Sequence, residues 1–248
     1  MHKETLKQSL VIFTDGSSLG NPGPGGWGAV LAFPKLNEVV ELGGSKSKTT
    51  NNEMELEAVV AALSYAVHNG EETHIFTDSQ YLINGITKWV HGWAKNGWKT
   101  KSGETVKNLF QWKTLYALTQ EKRGKIHWHH LPSHTGIAGN ERADTIAQTL
   151  ARGENIELFR GALQEYPYGD ILDIDIQETE AKREAKQKKT GKAHAYLSLL
   201  DGRVERHDTW AQCEARVKGK NARYRKALSP EHEQEILAEW KKDGSADT

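Results

Sequence analysis

The stretch Phe13-Thr-Asp-Gly-Ser-Ser-Leu-Gly-Asn-Pro-Gly-Pro-Gly-Gly-Trp-Gly28 decides how the chain begins to fold. An apolar run, Leu10 to Phe13, leads to a single acid, Asp15. A turn rich in Gly and Pro follows, and then a second apolar run from Trp27 to Phe33. Apolar runs bounded by such turns read as strand, loop and strand. A carboxylate at a strand end, beside glycines that let another backbone come close, suits a metal ion or a phosphate. An Asx turn before Gly16 accounts for the same aspartate without any ligand. Partners elsewhere in the chain must decide.

Working outward, Val39 to Leu42 completes a three-stranded meander, and Gly43 to Asn52 reads as a loop. The period then changes. Met54, Leu56, Ala58, Val59, Ala62, Leu63, Ala66 and Val67 recur at helical spacing, and Thr50 with Glu53 matches a capping box. His74 to Thr77 reads as a strand ending in Asp78, Ser79 to Trp89 as a helix, and His91 to Thr105 as a loop or short helix. A helix over Val106 to Arg123, a strand over Ile126 to Leu131, a loop over Pro132 to Gly139 and a helix over Asn140 to Arg152 complete this unit. The expected architecture is α/β, a five-stranded mixed sheet flanked by helices, spanning residues 1–153. Residues 154–190 read as a linker: Glu178 to Lys189 is almost wholly charged, although Ile171 to Ile176 could lie on the first domain as a strand. Residues 191–248 regain aromatics and read as a second, small α/β domain.

Across the 248 residues, Lys+Arg and Asp+Glu are both 33. That balance argues against coating nucleic acid by bulk charge and leaves room for local basic patches. The single cysteine, Cys213, excludes an intramolecular disulfide and a cysteine zinc site, and suits a reducing cytoplasm. The polar N-terminus is no signal peptide, and Ala58 to Val67 is too short to cross a bilayer, so no membrane role is expected.

The first domain puts acids where acids are structurally expensive. Asp15 and Asp78 end strands, Glu55 shares the apolar stripe of its helix, and Asp144 lies beside Ala143 and Ala147. Singly, each has a plain explanation: Asp78 as the cap of the helix from Ser79, Asp144 as a partner of Arg142 or of Lys residues on a solvated face. Together, converging carboxylates repel one another, and a divalent cation resolves the repulsion.

Four motifs carry a resemblance. Thr14-Asp-Gly-Ser with Gly20-Asn-Pro-Gly-Pro-Gly-Gly-Trp-Gly28, Thr49-Thr-Asn-Asn-Glu-Met-Glu-Leu56, Thr77-Asp-Ser-Gln80, and His134 with Gly139-Asn-Glu-Arg-Ala-Asp144 resemble bacterial type 1 ribonuclease H, in family order over Leu10 to Arg152. The resemblance implies endonucleolytic hydrolysis of the RNA strand of an RNA–DNA hybrid, leaving 5′-phosphate and 3′-hydroxyl ends. It implies Asp15, Glu55, Asp78 and Asp144 as ligands of two Mg²⁺ ions, with Mn²⁺ as a substitute, and His134 as a loop histidine assisting the attacking water or the leaving product. Asn21, Asn51, Asn52 and Gln80 match hybrid-reading residues, and Thr50 matches a DNA-phosphate contact. Lys88 to Lys101 resembles the family's basic protrusion, with Trp89 the ring expected to touch nucleic acid and Trp93 and Trp98 expected to pack. The alternative is a non-catalytic hybrid- or double-stranded-RNA-binding protein on this fold, which the four intact acids oppose.

Two stretches remain. His127 and His129 would share one strand face, the arrangement of a transition-metal pair, but without cysteine support a plain surface is the preferred reading. Between Lys182 and Lys226 there are 14 Lys/Arg against five Asp/Glu, interleaved with aromatics. Tyr196, Thr209-Trp-Ala-Gln-Cys213, Val217-Lys-Gly219 and Ala222-Arg-Tyr-Arg-Lys226 resemble the hybrid-binding, viroplasmin-like domain, which is N-terminal in eukaryotic ribonucleases H and C-terminal here. Tyr196, Trp210, Tyr224, Arg225 and Lys226 match its contacts to hybrid or double-stranded RNA. The expected protein is a monomer.

Overall fold

Strand β1 (Leu10–Ser18), which follows the short helix α1 (Lys3–Leu6), is the axis of the larger of two units, Met1–Glu180 and Ala181–Thr248. The computed structural model describes residues 3–132, 136–174, 193–220 and 222–242. On one side β1 pairs antiparallel with β2 (Gly23–Phe33), setting Asp15 opposite Gly28. On the other it pairs parallel with β4 (Thr73–Thr77), setting Thr14 opposite Thr77. Asp15 and Asp78 are each the next residue after that pair, so the register itself brings the two acids side by side.

Strand β3 (Glu38–Thr49) pairs antiparallel with β2, and β5 (Ile126–His130) pairs parallel with β4. A sixth strand, β6 (Arg160–Ala162), closes the far edge on β3, giving the order β5-β4-β1-β2-β3-β6. The sheet is mixed, as expected, with one strand more than the five anticipated.

Alternation along β1 divides two cores. Leu10 and Ile12 pack with Leu56, Val59 and Leu63 of α2 (Asn51–Ala66) and with Trp112 of α5 (Leu109–Glu121). Val11 and Phe13 face Ala143 and Ile146 of α6 (Ala138–Ala151). Each large apolar side chain fully removed from water contributes about 1.5–3 kcal/mol. These two faces therefore hold α2 and α6, and with them Glu55 and Asp144, against the sheet.

Several boundaries differ from expectation. The presumed loop from Gly43 is strand as far as Thr49, because Gly44 and Lys46 stay in ladder with Trp27 and Gly25. The helix after Asp78 is broken into α3 (Gln80–Asn84), a wide π turn (Gly85–Trp89) and α4 (Val90–Lys95). Helix α5 starts at Leu109 rather than Val106, since Asn108 is left-handed at φ 54°. The expected linker from 154 does not hold through 174: Tyr166, Ile171, Leu172 and Ile174 are buried in the α6-side core, with Ile156 and Phe159 packed on it. Ile171 and Leu172 form a turn, and Asp173 and Ile174 are irregular, where a strand was expected. Residues 175–192 fall outside the described residues.

In the smaller unit β7 (Ala195–Leu200) is the centre of an antiparallel sheet ordered β8-β7-β9, with β8 at Arg203–His207 and β9 at Arg223–Ala227. Helices Trp210–Val217 and Pro230–Lys242 accompany it. Leu197, Leu199, Ile236 and Trp240 form its core. Among the described residues no helix is long and apolar enough to cross a membrane.

Candidate metal centre

Four elements deliver one acid each to a cleft of about 300 Å³ lined by Asp15, Gly16, Ser17, Asn51, Glu55, Asp78, Asp144 and Gln148. Strand β1 supplies Asp15 and the end of β4 supplies Asp78. Glu55 comes from the first turns of α2, whose start is held by Thr50, the N-cap, accepting a hydrogen bond from the Glu53 N–H at 3.3 Å. The reciprocal half of the capping box is not what Glu53 does: its carboxylate accepts from Lys46 Nζ and Thr49 Oγ1, both at 2.9 Å.

Two glycines permit this convergence. A Cβ on Gly16 would overlap the backbone of Met54 and Glu55, so only glycine lets α2 settle on the end of β1. A Cβ on Gly28 would overlap the Ala143 carbonyl, so glycine also admits α6, which carries Asp144. The glycines of the opening stretch thus act at a distance, by setting how closely two acid-bearing helices approach.

Asp15 is 8% exposed. Its Oδ1 accepts from the Gly16 N–H at 2.7 Å. Burial, followed by the charges of Asp78 and Asp144, pushes its carboxyl up from 3.8 to about 9. Burial also raises Glu55, against the opposing pull of a hydrogen bond from Ser79. Glu55 Oε1 accepts from Asn51 Nδ2 at 2.8 Å, and Oε2 accepts from Ser79 Oγ. Asp144 Oδ1 accepts from Gln148 Nε2 at 2.6 Å. Among the described residues no Lys, Arg or His lines the cleft. Hard oxygen donors in excess, with no cationic side chain among them, fit a divalent metal ion.

The plain explanations of two acids fail on geometry. Asp78 does not cap the following helix; Ser79 does, its Oγ accepting from the Leu82 N–H at 3.1 Å. Arg142 does not pair with Asp144; it makes a two-pronged bond to Glu41 at 2.8 and 2.7 Å. Ser79 and Gln148 were not singled out from the sequence. The Asp-Ser junction between strand and helix is the signal that could have found Ser79, and the i, i+4 spacing from Asp144 the one for Gln148.

Of the other expected residues, Asn51 lines the cleft with its amide engaged by Glu55, while Asn21, Asn52 and Gln80 are exposed. Trp89 is 38% exposed, and its ring tilts against Tyr81 and Trp93. Trp93 packs edge-on to Trp112 and Trp98 edge-on to Tyr116, as packing residues do. His134 lies outside the described residues. In the smaller unit Tyr196, Trp210 and Tyr224 adjoin, with ring centroids 5.7 and 5.2 Å apart. Tyr196 pairs with Lys226 across β7 and β9, which puts Tyr196, Tyr224 and Lys226 on one sheet face. Arg225 points the other way and is bound by Glu239 at 2.7 and 2.9 Å.

Residues 7–152 match the family model RNase H. The ribonuclease H of Acidovorax sp. strain JS42 is 49% identical over 138 residues, 56% of this chain and 91% of that protein. The ribonuclease H of Thermosynechococcus vestitus is 46% identical over 149 residues, 59% of this chain and 91% of that one. Among solved structures, LC9-RNase H1, described as a type 1 RNase H with the type 2 active-site motif, superposes with a TM-score of 0.54 at 30% identity, covering 71% of this chain and 85% of that one. The chain belongs to the ribonuclease H family, divalent-metal-dependent enzymes that hydrolyse the RNA strand of RNA–DNA hybrids.

Proposed function

We propose that Asp15, Glu55, Asp78 and Asp144 hold two Mg²⁺ ions at which the RNA strand of a hybrid is cut, leaving 5′-phosphate and 3′-hydroxyl ends. The observation that carries this reading is a cleft built from four acids and, among the described residues, no cationic side chain. When bound, the ions supply a Lewis acid for the phosphoryl oxygens, a nucleophile at neutral pH and stabilisation of the departing 3′ oxygen. The chain's part is positioning. Asn51 and Ser79 fix the two oxygens of Glu55, and Gln148 fixes Asp144. Oxygen ligands favour Mg²⁺, with Mn²⁺ as a substitute. Asn21, Asn52 and Gln80, exposed near the acids in sequence, would read 2′-hydroxyls and groove edges, with Thr50 at the α2 N-terminus taking a phosphate and Trp89 a backbone sugar. His134 would assist the water or the product.

The smaller unit is read as a nucleic-acid-binding module for hybrid or double-stranded RNA, supported by the exposed Trp210–Tyr224 pair, with Tyr196 and Lys226 beside it. Arg225, already bound to Glu239, is dropped from the contact set.

The test is cleavage of an end-labelled hybrid by the full chain with Mg²⁺, with chelator, and as Asp78→Asn. Cleavage should fall by on the order of 10³-fold or more in the last two, at least about 4 kcal/mol of barrier. Equal cutting in all three would overturn the assignment. For the module, Trp210→Ala and Tyr224→Ala should each weaken hybrid binding by about 1–3 kcal/mol. Unchanged affinity in both would remove the module from the account.

A further inference from the structure

Histidines of two neighbouring strands gather on one face of the larger sheet. His74 on β4 lies opposite His127 on β5, and Phe76 lies opposite His129. The rings stack, His74 being 4.6 Å from His127 and 5.2 Å from His129 between centroids. His74 is 4% exposed. Its Nδ1 is 3.0 Å from His129 Nε2. Its Nε2 is buried and has no hydrogen-bond partner among the described residues. At the outer edge His127 Nε2 is bonded to the carboxylate of Glu72. One ligating atom from each of Glu72, His74 and His127 falls within 4.8 Å of the others.

Ordinary packing accounts for the stacked rings but leaves a buried ring nitrogen with nothing to bind, which is unfavourable. We propose that Glu72, His74 and His127 form a second metal site, for a divalent transition metal of the zinc type. Two imidazoles and one carboxylate with an open position are a zinc donor set and a poor one for Mg²⁺, which prefers oxygen alone. The His74–His129 bond fits this use. If His74 Nδ1–H donates to His129 Nε2, then His74 Nε2 carries the free lone pair a metal needs. His129 is then a positioning residue that sets the tautomer of its neighbour. Zinc ligands sit about 2.0–2.2 Å from the ion, so the hydrogen bond between His127 Nε2 and Glu72 must open to admit it. Glu72 is exposed and His127 is half-buried, so the outer two have room to move. His74 precedes Asp78 by four residues on one strand, roughly 13 Å at 3.3 Å per residue, so this is not the carboxylate cleft. A bound ion would tie β4 to β5 and so brace the strand whose end carries Asp78.

The test is zinc uptake by the full chain against a chromophoric chelator, in millimolar Mg²⁺ to occupy the carboxylates. Wild type should take up one zinc, and His127→Ala should bind it at least tenfold more weakly, while Asp78→Asn binds it as wild type does. His129→Gln should weaken it by about 10–100-fold. Zinc should raise the melting temperature of wild type but not of His127→Ala, a comparison that needs no activity. No uptake, equal uptake by His127→Ala, or loss in Asp78→Asn instead would each overturn the proposal.

Discussion

Helix α6 contributes to two acid sites through residues two apart, Arg142 and Asp144, and each site has one buried carboxylate, Glu41 in the first and Asp15 in the second, resolved in opposite ways. Arg142 reaches Glu41 on β3, whose side chain is 0% exposed. Around that one carboxylate stand the two prongs of the guanidinium, the Phe159 N–H at 2.9 Å and the Tyr166 hydroxyl at 2.6 Å. The Tyr168 ring covers the guanidinium at 3.9 Å. Asp144 instead joins Asp15, Asp78 and Glu55, where, among the described residues, acids meet only acids, amides and a hydroxyl. The first cluster is complete within the protein and shows no sign of wanting a ligand. The second is stable as a set of anions only with a cation. Burial alone does not mark a functional acid; burial without a compensating charge does.

Breaking the complete cluster should have the largest effect on stability. Arg142→Ala leaves Glu41 buried without its counter-charge and should cost about 3–5 kcal/mol in denaturant unfolding. A loss below 1 kcal/mol would mean that Glu41 is not the buried anion described. Adding Glu41→Gln to Arg142→Ala should recover part of the loss, because the stranded charge is then gone.

Much of this contrast could be read in the sequence, and the limits have physical causes. Glu55 stood out because it interrupts an apolar stripe, and Asp15 and Asp78 because each ends an apolar run. Glu41 did not, since one acid within a short strand reads as an outward-facing residue, and nothing local says that Arg142 of α6 reaches it. The anchor of that cluster, Tyr166, fell in a stretch read as linker. Ile156, Phe159, Tyr166, Ile171 and Ile174 follow neither a helical nor a strand period, so their burial is legible only once the sheet is built. The histidine face was half legible: His127 and His129 alternate on one strand, while His74, their neighbour across the ladder, could be placed only by the register.

A smaller effect sharpens the open cluster. Ser79 both caps α3 and donates to Glu55. Ser79→Ala should lower hybrid cleavage by about 10–100-fold, as losses of residues behind a metal ligand do. Its stability should fall by only about 1 kcal/mol from the lost cap. Ser79→Thr keeps an oxygen for both bonds and should restore cleavage. An Ala variant that cuts like wild type would remove Ser79 from the site.

The pH dependence is the most specific test. The Asp15 carboxyl is raised from 3.8 to about 9 in the folded chain. Between those values the folded state holds a proton that the unfolded state has lost, so metal-free stability should fall as pH rises through this window. Asp15→Asn should flatten that fall. Divalent metal should flatten it too, by replacing the proton with a cation.

That exchange is the direct measurement of the central claim. Calorimetric titration of Mg²⁺ into the metal-free chain at neutral pH, in two buffers of different ionisation enthalpy, counts the protons released on binding. An uncompensated acid quartet should release about one proton, and Asp15→Asn should release none and bind at least tenfold more weakly. Mg²⁺ binding with no proton release in wild type, and with the same affinity in Asp15→Asn, would contradict the account.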